Sequence, residues 1–193
     1  MIPTVLNISK SGKEATDILS YCFSKKREIF LFEEITDSVA AEIVAQIEYL
    51  KDISSENITI YINSPGGSVT AGFAIADAIN RAKNKCKVSI VCTGIAASMG
   101  AFILSCGTKG LRYVTPLSEV MIHQPLGGTQ GQASDILITA EHIKKTKDKI
   151  NKILAENTGK SIKIIAKDCD RDYYMNAEEA INYGIADNIF QNP

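Results

Sequence analysis

The sequence predicts an α/β protein built on a parallel sheet. Short stretches rich in β-branched residues, such as NITIYIN (57–63), alternate along the chain with segments whose apolar residues recur at helical spacing. This alternation is typical of strand–helix–strand units with right-handed crossovers. The stretch CKVSIVCTG (86–94) is almost continuously apolar, as expected of a strand that is covered on both faces.

The first half of the chain carries a local signal for each element. REIFLFEEI (27–35) is predicted to be the first strand, and Asp37 is predicted to cap a helix that runs to about Lys51. SPGGS (64–68) ends the strand at 57–63, and VTAGFAIADAINRAK (69–83) is predicted to be helical. Strand, helix, strand and helix therefore precede the apolar stretch at 86–94.

The second half is predicted to contain a buried helix and a much longer one. SMGAFILSCG (98–107) is predicted to be a helix ended by Gly107, followed by short strands in LRYVT and SEVMIH. After the glycine-rich QPLGGTQGQ (124–132), a helix of more than twenty residues is predicted to be capped by Ser134 and ended by Gly159. So long a helix is typical of one that meets a partner, although solvent exposure explains its lysine-rich section equally well.

Composition favours one globular domain. The chain has 193 residues, 45% hydrophobic content and a formal net charge of −1, which gives no electrostatic reason to expect a nucleic acid or a membrane as partner. No apolar run approaches the roughly 20 residues that span a bilayer. The start lacks the features of a signal peptide, so we expect a cytoplasmic protein. We expect residues 1–20 to form a flexible segment and residues 21–193 a single domain.

The cysteines and histidines predict neither disulfides nor a metal site. The chain has five cysteines, an odd number, without a C-x-x-C pair, and Cys92 and Cys106 are expected to be small buried hydrophobic residues. The cysteine spacings are irregular and there are only two histidines, so a zinc site is not expected.

Ser98, in GIAASMGAF (94–102), is a candidate nucleophile. It follows a predicted strand and opens a predicted helix, where backbone N–H groups lack helical partners and the helix dipole favours negative charge. Its small neighbours leave room for a substrate. The alternative is that Ser98 is an ordinary helix cap.

A serine nucleophile needs a base, a group that orients the base, and donors for the oxyanion. His123 ends an apolar strand, whereas His142 lies among charged residues on a predicted helix surface. The glycines of NSPGGS (63–68) can turn N–H groups toward an anion, although a tight turn is an equally good interpretation. Spacing alone does not select an acid from the three aspartates Asp168, Asp170 and Asp172.

The order of the motifs resembles one known family. With YINSPGGSVTAG, GIAASMGAF, MIHQPLGG, GQASDI and DRDYYMNAEEAINYGIAD in sequence, residues 28–190 resemble the ClpP family, the proteolytic subunits of ATP-dependent Clp proteases. The resemblance implies a crotonase-like α/β fold of repeated β-β-α units with a projecting handle helix. The handle region would cover about residues 124–157.

The resemblance also implies a serine endopeptidase that acts through an acyl-enzyme and needs no cofactor of its own. Ser98 would be the nucleophile, His123 the base and Asp172 the acid, and the backbone N–H groups of Gly67 and Met99 would form the oxyanion hole. An extended, unfolded polypeptide would pair with the backbone on both sides of the site; the segments implied are Ser68, Val69, Pro125 and Leu126.

Partners follow from the same resemblance. The family forms two stacked heptamers and works with an ATP-consuming AAA+ unfoldase hexamer of the ClpX, ClpA or ClpC type. Asp170 and Arg171 match residues that pair between rings. Tyr61, Tyr113 and Phe190 keep the aromatic character of the unfoldase dock. Thr59 and Arg81 depart from the aromatic or apolar residues common there, and LFEEITD (31–37) lacks the family's usual glycine.

The sequence leaves two alternatives to an active peptidase. One is a divergent paralogue that serves as a structural ring subunit, alone or beside a second ClpP chain. A crotonase-type acyl-CoA enzyme is the other alternative, and it would not need Ser98.

Overall fold

The computed structural model describes residues 2–9 and 12–190. An antiparallel hairpin of β1 (Thr4–Ser9) and β2 (Gly12–Asp17) comes first, followed by the short helix α1 (Ile18–Tyr21) and a π-helical turn at Cys22–Lys26. The hairpin lies within the segment 1–20, whose flexibility stays a prediction. Residues 1, 10, 11 and 191–193 of the predicted domains lie outside the described residues.

The main body alternates strands and helices, which confirms the α/β class. The strands are β3 (Glu28–Leu31), β4 (Ile58–Ser64), β5 (Val88–Ala97), β6 (Arg112–Val114), β7 (Glu119–Ile122), β8 (Tyr173–Asn176) and β9 (Asn188–Ile189). The helices are α2 (Asp37–Ile53), α3 (Val69–Ala82), α4 (Met99–Ser105), α5 (Ala133–Thr158), α6 (Ile162–Asp168) and α7 (Ala177–Tyr183).

A seven-stranded sheet forms the centre of the molecule. Strands β3, β4, β5, β6 and β9 are neighbours in that order and parallel, and β7 pairs with β5 on one side and antiparallel to β8 on the other. All residues of α4 are buried, as are those at 88–92 of β5, so the apolar stretch is covered on both faces as predicted. The core therefore lies around β5 and the helix that follows it.

Strand β5 changes partner halfway along its length. Its first half pairs with β6 and its last residues pair with β7, while its register against β4 shifts after Ile62. Gly94 lies at this break with φ of +89°, and a side chain there would meet the Asn63 amide, whose Oδ1 accepts from the Ile95 N–H at 3.2 Å. The break turns the end of β5 toward β7, where the candidate site lies.

Two predicted helix caps were wrong by one or two positions. Thr36, not Asp37, caps α2 and accepts from the Val39 N–H, while Asp37 is the first helical residue. Helix α5 begins at Ala133 after Gln132, and Ser134 lies inside its first turn. Asp37 and Ser134 are competent caps by composition, but extended backbone at the preceding residues determines where each helix begins. The predicted end at Gly159 is confirmed.

All five cysteines are buried and unpaired, so the prediction for Cys92 and Cys106 is confirmed. Burial raises the pKa of the Cys92, Cys106 and Cys169 thiols to about 11. In the part of the chain that the structure describes, no helix is both long and apolar enough to cross a bilayer.

Candidate active site

Ser98 lies at the junction of β5 and α4 in a strained conformation. Its φ of +53° and ψ of −118° are rare for a residue with a side chain, and its backbone N–H donates to the Met121 carbonyl at 2.8 Å. Its side chain makes no capping hydrogen bond to α4. The helix-cap interpretation is therefore wrong for the hydroxyl, which points elsewhere.

The Ser98 hydroxyl contacts His123, and His123 contacts Asp172. Ser98 Oγ lies 2.9 Å from His123 Nε2, and His123 Nδ1 lies 3.0 Å from Asp172 Oδ1. Since a carboxylate only accepts hydrogen bonds, the Nδ1 atom donates to it and Nε2 accepts from the serine hydroxyl. The three side chains form one directed chain of hydrogen bonds that can carry a proton away from Ser98.

The pairing of β7 with β8 brings His123 and Asp172 together. The last pair in this antiparallel register is Ile122 with Tyr173, so the next residue on one strand and the preceding residue on the other face each other. The His123 side chain is 16% exposed, whereas that of Asp172 is 58% exposed. The acid that spacing could not select is thus distinguished by a long-range strand register.

The other two aspartates have different contacts. The Tyr183 hydroxyl donates to Asp168 at 2.9 Å, and burial together with this carboxylate raises the pKa of Tyr183 above its ordinary value. Asp170 is exposed, as is Arg171, and Asp170 Oδ1 lies 3.9 Å from Lys147 Nζ. Neither carboxylate contacts His123, and the assignment of Asp170 and Arg171 to a ring interface stays a prediction.

The Pro-Gly-Gly turn packs directly on Ser98. Gly66 has φ of +95°, and a Cβ there would lie 2.7 Å from both Ala97 O and Ser98 Cβ. The turn is held by hydrogen bonds to Ile35, which donates to the Gly66 carbonyl and accepts from the Ser68 N–H. Within the described residues, the N–H groups of Gly67 and Met99 have no acceptor. Both amides are therefore available to a ligand.

Of the four residues expected to pair with substrate, two lie in an open segment. Residues 123–130, which include Pro125 and the 83% exposed Leu126, have no regular structure. On the opposite side, the Ser68 N–H already donates to Ile35 and its carbonyl accepts from the Gly72 N–H, because Ser68 caps α3. The Ser68 carbonyl thus keeps one lone pair for a ligand, and Val69 is the first residue of the helix.

A small apolar cavity of about 20 Å³ adjoins the nucleophile. It is closed by side chains from α3, α4, α5 and the end of β7; its lining is Val69, Ser98, Met99, Phe102, Ile122, His123, Pro125, Ile150 and Leu154. This volume is close to that of a single water molecule.

The remaining predicted residues lie away from this site. Tyr61 and Tyr113 both have edge-on contacts with the Phe190 ring, at 6.3 and 5.7 Å between centroids. Arg81 is held by an ion pair with Glu48 at 2.7 Å, and the Thr59 hydroxyl accepts from Asn57. His142 lies beside Leu137 and Ile138 on the surface of α5. Tyr61, Tyr113 and Phe190 therefore form one aromatic cluster, and their role in unfoldase docking stays a prediction.

Sequence reasoning missed the contacts that hold these groups in place. The Met121 carbonyl binds the Ser98 N–H, and the backbone of Ile35 holds the Pro-Gly-Gly turn. The Gln124 side chain donates to the Asp170 carbonyl. The adjacency of Gln124 to His123 was the only local signal for any of them. No group of three or more histidine, cysteine or acidic side chains that could hold a metal ion occurs among residues 2–9 and 12–190.

The match to a known family extends over nearly the whole chain. The family model described as Clp protease matches residues 10–193, which include the hydrogen-bonded chain, the Pro-Gly-Gly turn and helix α5. The match thus covers every part of the candidate site.

Proposed function

Because the chain belongs to the Clp protease family, we propose that it is a serine endopeptidase that cleaves unfolded polypeptides through an acyl-enzyme. The observation that carries the proposal is the Ser98–His123–Asp172 hydrogen-bonded chain, with its separations of 2.9 and 3.0 Å. Distances of this size are those at which a base takes a proton from a nucleophile.

The proposed mechanism has two halves, acylation of Ser98 and hydrolysis of the acyl-enzyme, and His123 moves the proton in both. Ser98 Oγ attacks the peptide carbonyl while its proton passes to His123 Nε2, and Asp172 holds the resulting imidazolium. The imidazolium then gives the proton to the leaving amine as the C–N bond breaks. Water, deprotonated by the same nitrogen, releases the acyl group and regenerates the serine.

The amides of Gly67 and Met99 would bind the oxyanion. Their lack of acceptors within the described residues supports this role, because an unpaired donor beside the nucleophile needs no reorganisation to stabilise developing charge. The helix dipole of α4 adds to this field, since Met99 is its first residue. Removing one such donor from a serine protease costs about 10²–10³-fold in kcat.

The substrate would lie extended along the open segment that contains Pro125 and Leu126. Residues 123–130 have no regular structure, which supports pairing through main-chain hydrogen bonds that tolerate many side chains. Opposite it, Val69 and the free lone pair of the Ser68 carbonyl remain for pairing. Such pairing requires an unfolded chain, because a folded protein presents few free extended segments.

Assembly and partners belong to the same proposal. We expect two stacked heptamers joined through α5 and the Asp170–Arg171 segment, and an ATP-consuming AAA+ unfoldase that feeds them in the cytoplasm. Arg81 stands at a position of the dock where the family has an aromatic or apolar residue, and here it forms an ion pair with Glu48. The alternative is therefore that a second paralogue in the ring supplies the docking surface.

A fluorophosphonate probe separates an active peptidase from a structural subunit. We expect the assembled wild-type protein to be labelled at Ser98 and to cleave a fluorogenic peptide, and Ser98→Ala to lose both. Ser55→Ala, which changes an exposed serine far from the site, is the matched control. If wild-type particles of verified mass are not labelled, alone or mixed with a paralogue, the peptidase proposal is wrong.

A further inference from the structure

Asp172 receives little support from its immediate surroundings. Its side chain is 58% exposed, and among the described residues its carboxylate accepts only from His123. The β7–β8 pairing ends at Ile122 and Tyr173, so the His123–Asp172 pair lies just beyond the last rung of the ladder. A pair at the open end of two strands needs a second point of attachment if its geometry is to persist.

The side chain of Gln124 provides that attachment on the far side of the pair. Its Nε2 donates to the Asp170 carbonyl at 2.8 Å, bridging the two chain segments that carry the base and the acid. His123 and Asp172 are thereby bracketed between the backbone ladder and this side-chain bond. Asp170 takes part through its main chain, so this contact does not depend on its carboxylate.

Lys147 determines which way the Gln124 amide points. Its Nζ lies 2.8 Å from Gln124 Oε1, and an ammonium group can only donate. The Asp170 carbonyl can only accept, so both neighbours require the same amide orientation. A flipped amide would place donor against donor and acceptor against acceptor.

Lys147 belongs to α5, whose buried residues Ile150 and Leu154 pack into the core beside the candidate site. Its side chain is 28% exposed, and its Nζ also lies 3.9 Å from Asp170 Oδ1. Helix α5 thus holds Lys147 in place, Lys147 binds Gln124, and Gln124 binds the segment that carries Asp170 and Asp172.

We propose that Gln124 is a positioning residue that keeps Asp172 aligned with His123, and that Lys147 acts through it by orienting its amide. The inference rests on the proposed peptidase function. A displacement of about 1 Å in a reacting group can cost about 100-fold in rate, so the loss of this positioning contact is expected to lower kcat by about 10–100-fold. Since both hydrogen bonds of the Gln124 side chain go to Asp170 and Lys147, neither of which the proposal places against substrate, their loss is expected to lower kcat much more than it changes KM.

The test compares three variants with the wild type at equal particle mass. For Gln124→Met, which removes both bonds at similar volume, we expect kcat to fall about 10–100-fold with KM within about twofold. For Lys147→Met we expect a smaller loss in kcat, and for Lys147→Arg, which retains a donor, near-wild-type kcat. Lys145→Met is the matched control, because that lysine lies two positions away on α5 with its side chain 73% exposed.

A double-mutant cycle shows whether Lys147 acts through Gln124. If it does, Gln124→Met with Lys147→Met is no slower than Gln124→Met alone. Independent, multiplicative losses, or a kcat of Gln124→Met within about twofold of wild type, would overturn the inference. Gln124→Glu, which keeps the Lys147 contact but loses the donor to Asp170, is the second variant should Gln124→Met not fold. A wild type that the fluorophosphonate does not label counts against the peptidase proposal instead.

Discussion

The two edges of the parallel sheet differ in whether the backbone groups at their helix ends have hydrogen-bond partners. At the carboxyl edge of β4 and β5, helices α3 and α4 begin, and the N–H groups of Gly67 and Met99 have no acceptor in the part of the chain described. At the amino edge, α2, α4 and α5 end, and cationic side chains bind their last carbonyls. These bonds run from Lys85 to Asp52 O, from Lys83 to Cys106 O and from Arg112 to Asn157 O, at 2.9–3.0 Å.

The difference shows that unpaired donors mark a site better than volume does. An open cavity of about 550 Å³ lies at the amino edge, lined by Lys83, Arg112 and other polar residues, whereas the cavity beside Ser98 measures about 20 Å³. The cations around the larger cavity already serve the helix ends, where they complement the dipole. The cations around the larger cavity therefore stabilise the helix ends, whereas the smaller cavity adjoins Ser98 and His123.

The largest expected effect tests the carboxyl edge. For His123→Ala we expect kcat to fall by at least about 10³-fold, because Ser98 loses its proton acceptor. The chain's other histidine supplies the control: His142→Ala, on the surface of α5, should retain kcat within about twofold. Peptide hydrolysis by the purified particles measures both. Equal losses in the two variants would contradict a specific role of His123 in proton transfer.

The next effect tests the amino edge. Arg112 is 3% exposed and bonds Asp187 and the Asn157 carbonyl, so Arg112→Met should lower the free energy of unfolding by about 3–5 kcal/mol. Arg81→Met breaks the more exposed ion pair with Glu48 and should cost no more than about 1 kcal/mol. Urea unfolding compares the two. We expect folded Arg112→Met to keep its kcat, and a specific loss of kcat would contradict the division of roles.

A third variant tests the contact between the Pro-Gly-Gly turn and the nucleophile. Gly66→Ala places a methyl group 2.7 Å from Ser98 Cβ at a φ of +95°, and we expect a fall in kcat of about 10²-fold. Gly110→Ala is the control, since its φ is +86° but the space around it is open. Strain alone should reduce the melting temperature of both variants, whereas only Gly66→Ala should reduce kcat. A similar kcat in both variants would show that the turn does not position Ser98.

Low pH should reduce the contribution of Asp187 to the free energy of unfolding. Burial tends to raise the pKa of its carboxyl, but hydrogen bonds from Arg112 and from the Gly110 N–H outweigh burial and hold that pKa below its usual value of 3.8. A lowered folded-state pKa stabilises the fold above the unfolded value and loses this contribution as pH falls through the folded one. The stability gap between wild type and Asp187→Asn should therefore stay constant above about pH 5 and shrink as the pH falls below about 4 in urea titrations. A constant gap would contradict this role.

The smallest effect concerns a single helix end. Lys83→Met removes the cation that binds the Cys106 carbonyl at the end of α4, and we expect a loss of about 0.5 kcal/mol. Lys109→Met, at another lysine lining the same cavity, should be neutral. The two losses are compared by urea unfolding, and equal values would show that the contact adds nothing.

Sequence reasoning recovered what depends on local pattern. The strand and helix positions follow from periodicity over a few residues, and the apolar stretch in β5 is buried as expected. The cap predictions failed at Asp37 and Ser134 because the residue in extended conformation before each helix, Thr36 or Gln132, determines where the helix begins. The strand at Tyr173–Asn176 was not predicted, since its pairing with β7 lies about fifty residues away along the chain.

The candidate site depended on such distant pairing. Neither the conformation of Ser98 nor the choice of Asp172 among three aspartates can be read from spacing, because the first needs the bond to the Met121 carbonyl and the second needs the β7–β8 register. The resemblance to a family supplied these residues, and the geometry brings Ser98, His123 and Asp172 together. Gln124 had no comparable signal, since a glutamine after a histidine has no preferred partner.

The buried cysteines can report local opening of the structure, because their thiols become reactive only when they are exposed. A thiol with its pKa raised to about 11 reacts with an alkylating agent only when its surroundings open and expose it. Cys92 lies in β5, Cys106 at the end of α4 and Cys169 just before the Asp170 segment. The alkylation rates of these three residues, followed by mass spectrometry, would report separately how often the central strand, the nucleophile's helix and the acid segment open.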